Sequence, residues 1–147
     1  MKVGFTCSPF DLLHPGHIEM LRECKKNCDY LICGINTAPV KNGKLPVQSL
    51  MERYVQLSSV KFVDEIIPYE SEFDLVNLLK LKKPDIRFIG ADYKNKKFTG
   101  DNLNIEIFYN NRDHPFSSSE LKTRVIHFGI RYYSKTDTQE LLENNYE

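Results

Sequence analysis

The chain has 147 residues, 41% of them hydrophobic and 27% charged, and its formal net charge is zero. That length and balance suit one domain with one sizeable core and argue against a disordered chain. The absence of a basic excess argues against a general nucleic-acid binder, so an anion site has to be a local cluster. No apolar run approaches the roughly 20 residues that span a bilayer. The N-terminus MKVGFTCSPF lacks the basic-then-apolar pattern of a secretory signal. The chain reads as cytoplasmic, with no membrane partner. Its cysteines, Cys7, Cys24, Cys28 and Cys33, form no CxxC pair and read as buried thiols.

Residues 2–6 are a short apolar run ending at turn-prone Cys7, Ser8 and Pro9, and predict a strand. From 17 to 28, Ile18, Leu21, Cys24 and Cys28 recur at helical spacing, with Pro15 near the start where a missing N–H costs little. Residues 30–35 (YLICGI) are nearly all apolar, as suits a parallel strand buried on both faces. Strand, helix, strand is the opening of a doubly wound α/β fold.

Residues 36–49 hold Pro39, Asn42, Gly43 and Pro46 and predict a loop. Helical spacing returns at 50–60. Residues 65–69 (EIIPY) predict a short strand that Pro68 pushes toward an edge. Ser71 begins a helix with an acidic first turn and Leu75, Leu78 and Leu79 on its buried face. Residues 86–90 and 105–109 predict two more strands, with a polar loop between them. A last core helix is expected from the serine run 117–119, carrying Leu121, Val125 and Phe128. The expected architecture is a Rossmann-like doubly wound sheet of about five mainly parallel strands with helices on both faces. One domain covers 1–133. The polar, acidic tail 134–147 forms a short helix or frays.

Chemistry concentrates first in Phe10-Asp11-Leu12-Leu13-His14-Pro15-Gly16-His17, between a strand and a helix. His14 and His17 share one side of the helix start. There, unpaired N–H groups and the dipole favour an anion. Two imidazoles at that point can donate to phosphate oxygens and stabilise charge moving onto a leaving pyrophosphate. Gly16 permits close approach of a ligand to the backbone.

A second cluster is Asn111-Arg112-Asp113-His114-Pro115-Phe116-Ser117-Ser118-Ser119. Arg112 can grip a phosphate with a fork of two hydrogen bonds. The serines either cap a helix or donate to a phosphate. A third is basic: Lys41 and Lys44 in the Pro/Gly loop, then Arg53. Such a loop closes over a phosphorylated acceptor or is simply solvated. A fourth, Gly90-Ala91-Asp92-Tyr93-Lys94, follows a strand, where open α/β sheets place ligands. Asp92 and Asp11 are candidate carboxylates for magnesium or nucleotide. For Asp11 the alternative is a turn carboxylate bonding backbone.

HxGH after a first strand resembles the nucleotidylyltransferase superfamily, which includes cytidylyltransferases and heptose-phosphate and pantetheine-phosphate adenylyltransferases. The longer string FDLLHPGHIEMLRECKKNCDYLICGI, with VKFVDEIIPY, GADY and the Arg112 to Ser119 segment, is most similar to the glycerol-3-phosphate cytidylyltransferase family. The likeness runs over about residues 2–125.

It implies transfer of CMP from CTP to a small phosphorylated alcohol such as glycerol 3-phosphate, with magnesium and release of pyrophosphate. The GADYK segment keeps open ATP and a sugar phosphate of the heptose type. Pro9 keeps open a nucleotide-binding module without turnover. The resemblance assigns catalysis to His14, His17, Lys44 and Arg112. It assigns nucleotide contacts to Ser8, Phe10, Asp11, Gly16, Asp92 and Tyr93, and also to Arg112, Phe116, Ser117 and Ser118. Acceptor contacts fall to Lys44, Arg53 and Lys61, the last where relatives often carry Arg. The metal ligands are Asp11 and Asp92.

The resemblance also implies a homodimer, with the apolar neighbourhood 60–63 among the contacts. Two departures stand out. Ser8-Pro9 replaces Gly-Thr or Ser-Thr, removing a hydroxyl and an N–H that Ser8 and the Phe10 N–H are expected to replace. Arg-Asp-His-Pro-Phe-Ser-Ser-Ser replaces Arg-Thr-x-Gly-Ile-Ser-Thr-Thr.

Overall fold

The structure is a computed structural model describing residues 1–40, 43, 45–133 and 135–144. Five strands, β1 (Val3–Ser8), β2 (Tyr30–Asn36), β3 (Glu65–Tyr69), β4 (Ile86–Gly90) and β5 (Glu106–Asn110), form one sheet in the order β3-β2-β1-β4-β5. Every pairing is parallel. The helices are α1 (Pro15–Lys26), α2 (Leu50–Ser58), α3 (Glu72–Lys82), α4 (Ser118–Tyr132) and α5 (Lys135–Asn144). β3, with Pro68, lies at the sheet edge, where its missing N–H removes no ladder bond on the outer side.

Successive residues of β2 point to opposite faces and divide the core. Leu31, Cys33 and Ile35 pack with Leu21 and Cys24 of α1, Cys28 just beyond it and Leu57 of α2. Ile32 packs with Phe5, Tyr69 and Leu75, Leu78 and Leu79 of α3. Helices therefore cover both faces, as the continuous apolar run of β2 requires. Burial pushes the Cys24 thiol up to about 12, and no cysteine is in a disulfide.

The chain divides into two compact units, Met1–Pro115 and Phe116–Glu147. The boundary expected at 133/134 falls between α4 and α5. α4 begins where the serine run predicts, and none of its residues is buried within its own unit. Val125 is 64% exposed and Phe128 55%. Its apolar side chains form two stripes, Leu121-Val125-Phe128-Tyr132 and Ile126-Ile130-Tyr133. Helical spacing shows that a face exists without saying what covers it. Among the described residues no helix is long and apolar enough to cross a membrane.

Candidate active site

In a parallel sheet of this order, the strand sequence reverses between β1 and β4, and ligands bind in the crevice beyond the carboxyl ends of those strands. The chain leaving β1 enters that crevice as the turn 9–14. The backbone there is strained: Phe10 and Leu12 have φ of 52° and 50°, each costing about 1–2 kcal/mol for a residue with a Cβ.

Several contacts offset the strain. The Phe10 ring is fully buried in the core. Asp11 accepts from the backbone N–H groups of Val47 and Gln48, one on each carboxylate oxygen, both at 2.9 Å. Gln48 returns the contact, its side-chain oxygen accepting from the Leu12 N–H at 2.7 Å. Gln48 carried no sequence signal, because loop pairing across 36 residues leaves no periodicity.

Arg53 completes the clamp. It is 2% exposed, and its guanidinium donates to four backbone carbonyls: Pro9 (2.8 Å), Asn36 (2.7 Å), Thr37 (3.0 Å) and Gln48 (3.3 Å). Four of the five guanidinium N–H groups thereby join the ends of β1 and β2 to α2, so in this structure Arg53 serves the scaffold, and one N–H is left for the acceptor contact expected of it. Asp11 accepts from loop N–H groups as the turn-carboxylate alternative describes, with one N–H on each oxygen.

The two histidines build the start of α1. His14 is the N-cap, and its Nδ1 accepts from the Gly16 N–H at 3.0 Å. His17 Nδ1 accepts from the His14 N–H at 3.3 Å. This is a capping box made of imidazoles. A ring that accepts at Nδ1 carries its proton at Nε2 when neutral, so the cap fixes the tautomer of both rings.

The His17 ring lies between Phe10 (centroids 5.8 Å apart) and His14 (4.0 Å). Burial, then His14, lower the His17 pKa to about 4, although Asp11 pulls the other way. Burial, then His114, lower that of His14. Both are neutral donors at neutral pH. Gly16 has to be glycine here: a Cβ would lie 2.7 Å from His14 Cε1 and 3.0 Å from His114 Cε1.

Across the crevice, Arg112 runs beside the end of β4, its Nη2 3.4 Å from where a Gly90 Cβ would stand. It pairs with Asp92 at 2.8 Å, both groups well exposed. An exposed pair of this kind contributes at most about 1 kcal/mol, so either partner can leave it for a phosphate or a metal. Tyr93 is half-exposed in the 3₁₀ turn Ala91–Tyr93.

The remaining expected residues lie elsewhere. Ser8 Oγ accepts from the Phe10 N–H at 3.3 Å, so the two groups expected to replace the donor lost at Pro9 are bonded to each other. Lys61 places its ammonium 5.3 Å from the Phe62 ring centre. It lines a groove of about 400 Å³ with Leu13, Ile18, Arg22 and Val60 on the outer flank of α1. Phe116, Ser117 and Ser118 belong to the second unit, where Ser117 caps α4 by accepting from the Glu120 N–H. Lys41 and Lys44 lie outside the described residues.

Among the described residues no three His, Cys, Asp or Glu side chains form a metal cage. Magnesium accompanying a triphosphate needs only one or two carboxylates, and Asp92, exposed beside Arg112, and Asp11 are the carboxylates that could hold it.

Fold and site together define an α/β nucleotide-binding enzyme of the HxGH class. Residues 5–124 match the cytidylyltransferase-like family, and the chain belongs to that family of nucleotidylyltransferases. It is 38% identical over 107 residues to the bifunctional protein HldE of Caulobacter vibrioides, covering 70% of this chain and 22% of that protein. It is 36% identical over 128 residues to HldE of Campylobacter jejuni, covering 84% and 28%. The chain thus spans about a quarter of the length of these curated relatives. Among solved structures, a lipopolysaccharide core biosynthesis protein from Thermoplasma volcanium aligns with TM-score 0.56 at 27% identity, covering 88% of this chain and 89% of that one. Pantothenate synthetase from Thermus thermophilus, at 15% identity and TM-score 0.54, covers 75% and 55% and shares the fold.

Proposed function

We propose that the crevice between β1 and β4 holds ATP with its triphosphate along the N-terminus of α1, and that the chain transfers the adenylyl group to a sugar phosphate of the heptose-phosphate type. A phosphate oxygen of the acceptor attacks the α-phosphorus in line. The bond from the α-phosphorus to the bridging oxygen breaks, and pyrophosphate leaves with the electron pair. No covalent enzyme intermediate is needed. Catalysis is positioning plus charge stabilisation.

One observation carries the reading: two imidazoles locked by their own helix cap with Nε2 protonated, at the positive end of α1. Hydrogen-bond donors fixed before the reaction stabilise charge on the departing pyrophosphate without reorganising. Arg112 exchanges Asp92 for a phosphate oxygen. Asp92, released from that pair, would be a carboxylate to hold the magnesium that accompanies the triphosphate, and the ion would screen the phosphate charge. Lys44, Ser117, Ser118 and Phe116 remain assigned to the phosphates and nucleotide on the strength of the family motif, and Lys61 to the acceptor on its basic charge. The enzyme works as a cytoplasmic homodimer.

The choice of ATP and a sugar phosphate is supported by the GADYK segment, by the HldE relatives and by the lipopolysaccharide core protein. It is preferred to CMP transfer from CTP to glycerol 3-phosphate, which rests on the FDLLHPGH string and the family description. A pyrophosphate-release screen of ATP and CTP against sugar and polyol phosphates decides. ATP with a sugar phosphate is the expected pair. CTP with glycerol 3-phosphate would reverse the preference. Nucleotide binding without release from any pair would leave a binding module.

A further inference from the structure

The loop that departs from the family pattern, Asp113-His114-Pro115, delivers a third ring to the same helix end. His114 Cε1 lies 3.0 Å from where a Gly16 Cβ would be, and the His14 Cε1 lies 2.7 Å from that same point. Two rings thus converge on one missing side chain. The segment leading to His114 is held by built contacts. Buried Asn110, at the end of β5, donates to the Glu23 carboxylate at 2.8 Å. The Asn111 N–H donates to the same oxygen at 3.2 Å, so Glu23 of α1 fixes the start of the segment against α1. The side chains of Asn111 and Asp113 then bond to each other, shaping the turn before His114. The electrostatic influence of His114 on His14 agrees with this proximity.

On the opposite side of the site a donor is missing. Pro9 has no N–H, and the Phe10 N–H is taken by Ser8. We propose that His114 is a phosphate-contacting residue of this chain, a third imidazole that donates to the triphosphate beside His14 and makes up for the donor lost at Pro9. The inference rests on the nucleotide reading above and deepens it. Glycine at 16 then has a second reason beyond ligand approach: it leaves room for both rings.

The test is calorimetric binding of ATP, inorganic pyrophosphate and AMP to the full chain and to His114→Ala and His114→Gln. A ring N–H donating to a charged oxygen predicts that His114→Ala weakens ATP and pyrophosphate by roughly tenfold. AMP affinity and the thermal midpoint should barely move, and His114→Gln, which keeps an N–H at similar reach, should recover part of the loss. Equal weakening of all three ligands, or none, would reduce His114 to a packing residue. If the unaltered chain binds neither ATP nor CTP, the nucleotide reading itself falls, and the inference with it.

Discussion

An imidazole that caps a helix through Nδ1 cannot become imidazolium without giving up that bond, so capping and proton affinity are linked in His14 and His17. The folded-state pKa of His17 is about 4, below its ordinary value of 6.5. The unfolded chain therefore takes up more protons as pH falls through this window, and stability is lost between about pH 6.5 and pH 4. His14 adds in the same direction. The His17 part is on the order of 1–2 kcal/mol, discounted from the full linkage value because the ring is partly exposed. Urea midpoints at pH 7, 5.5 and 4.5 should fall less steeply for His17→Asn than for the unaltered chain. Parallel slopes would show that the ring is not buried as described. At neutral pH, His17→Ala should cut turnover by at least about a hundredfold if the ring stabilises the leaving group. Loss of the cap contact costs only about 1 kcal/mol of stability. Turnover close to normal would remove His17 from the mechanism. Gly16→Ala drives a methyl into the His14 and His114 rings. Its expected signature is a tenfold or greater loss of triphosphate affinity, on the order of 1.4 kcal/mol, with the sheet intact by circular dichroism.

At the scale of elements, the site is a turn that is unstable alone and held by its neighbours. Arg53 in α2 ties β1 to β2 through the Pro9, Asn36 and Thr37 carbonyls and holds Gln48 by a fourth, while Asp11 and Gln48 exchange bonds across the two loops. Arg53→Met leaves four partly buried carbonyls unpaired at about 1 kcal/mol or more each, so a loss of about 3 kcal/mol is expected in urea unfolding. Arg53→Lys, with three donors and no planar fork, should be intermediate. An acceptor-binding Arg53 would instead raise the acceptor KM at unchanged stability, and that result would sink the clamp.

This is also where sequence reading stops. The strands, α1 to α3 and the edge position of β3 are legible because apolar spacing and Pro68 act locally. The HxGH motif is legible because its residues are contiguous. The carbonyl partners of Arg53 are not legible, because a basic residue after a loop looks the same whether its partners are phosphates or carbonyls. Gln48 and Glu23 left no signal at all, since their partners lie 36 and more than 80 residues away.

At the scale of the molecule, two apolar surfaces lie open while the net charge is zero. One is α4, where Val125, Ile126, Phe128 and Ile130 are all exposed. The other is the groove beside α1, where Arg22 and Lys61 both stand over the Phe62 ring. Soluble monomers rarely leave contiguous apolar patches open, and a neutral chain has little net repulsion to keep copies apart. Sedimentation velocity should therefore show mass rising to a dimer with concentration, little affected by salt if the contact is apolar. Placing charges on α4 with Val125→Glu and Ile130→Glu should shift the equilibrium to monomer. A dimer that survives those changes but dissociates with Phe62→Glu would move the contact to the 60–63 neighbourhood. A monomer at every concentration would overturn the dimer altogether. Because α4 is capped by Ser117, one of the proposed phosphate-binding serines, a dimer seam on α4 should couple assembly to nucleotide binding: ATP should lower the dimer dissociation constant, whereas a seam at 60–63 carries no such requirement.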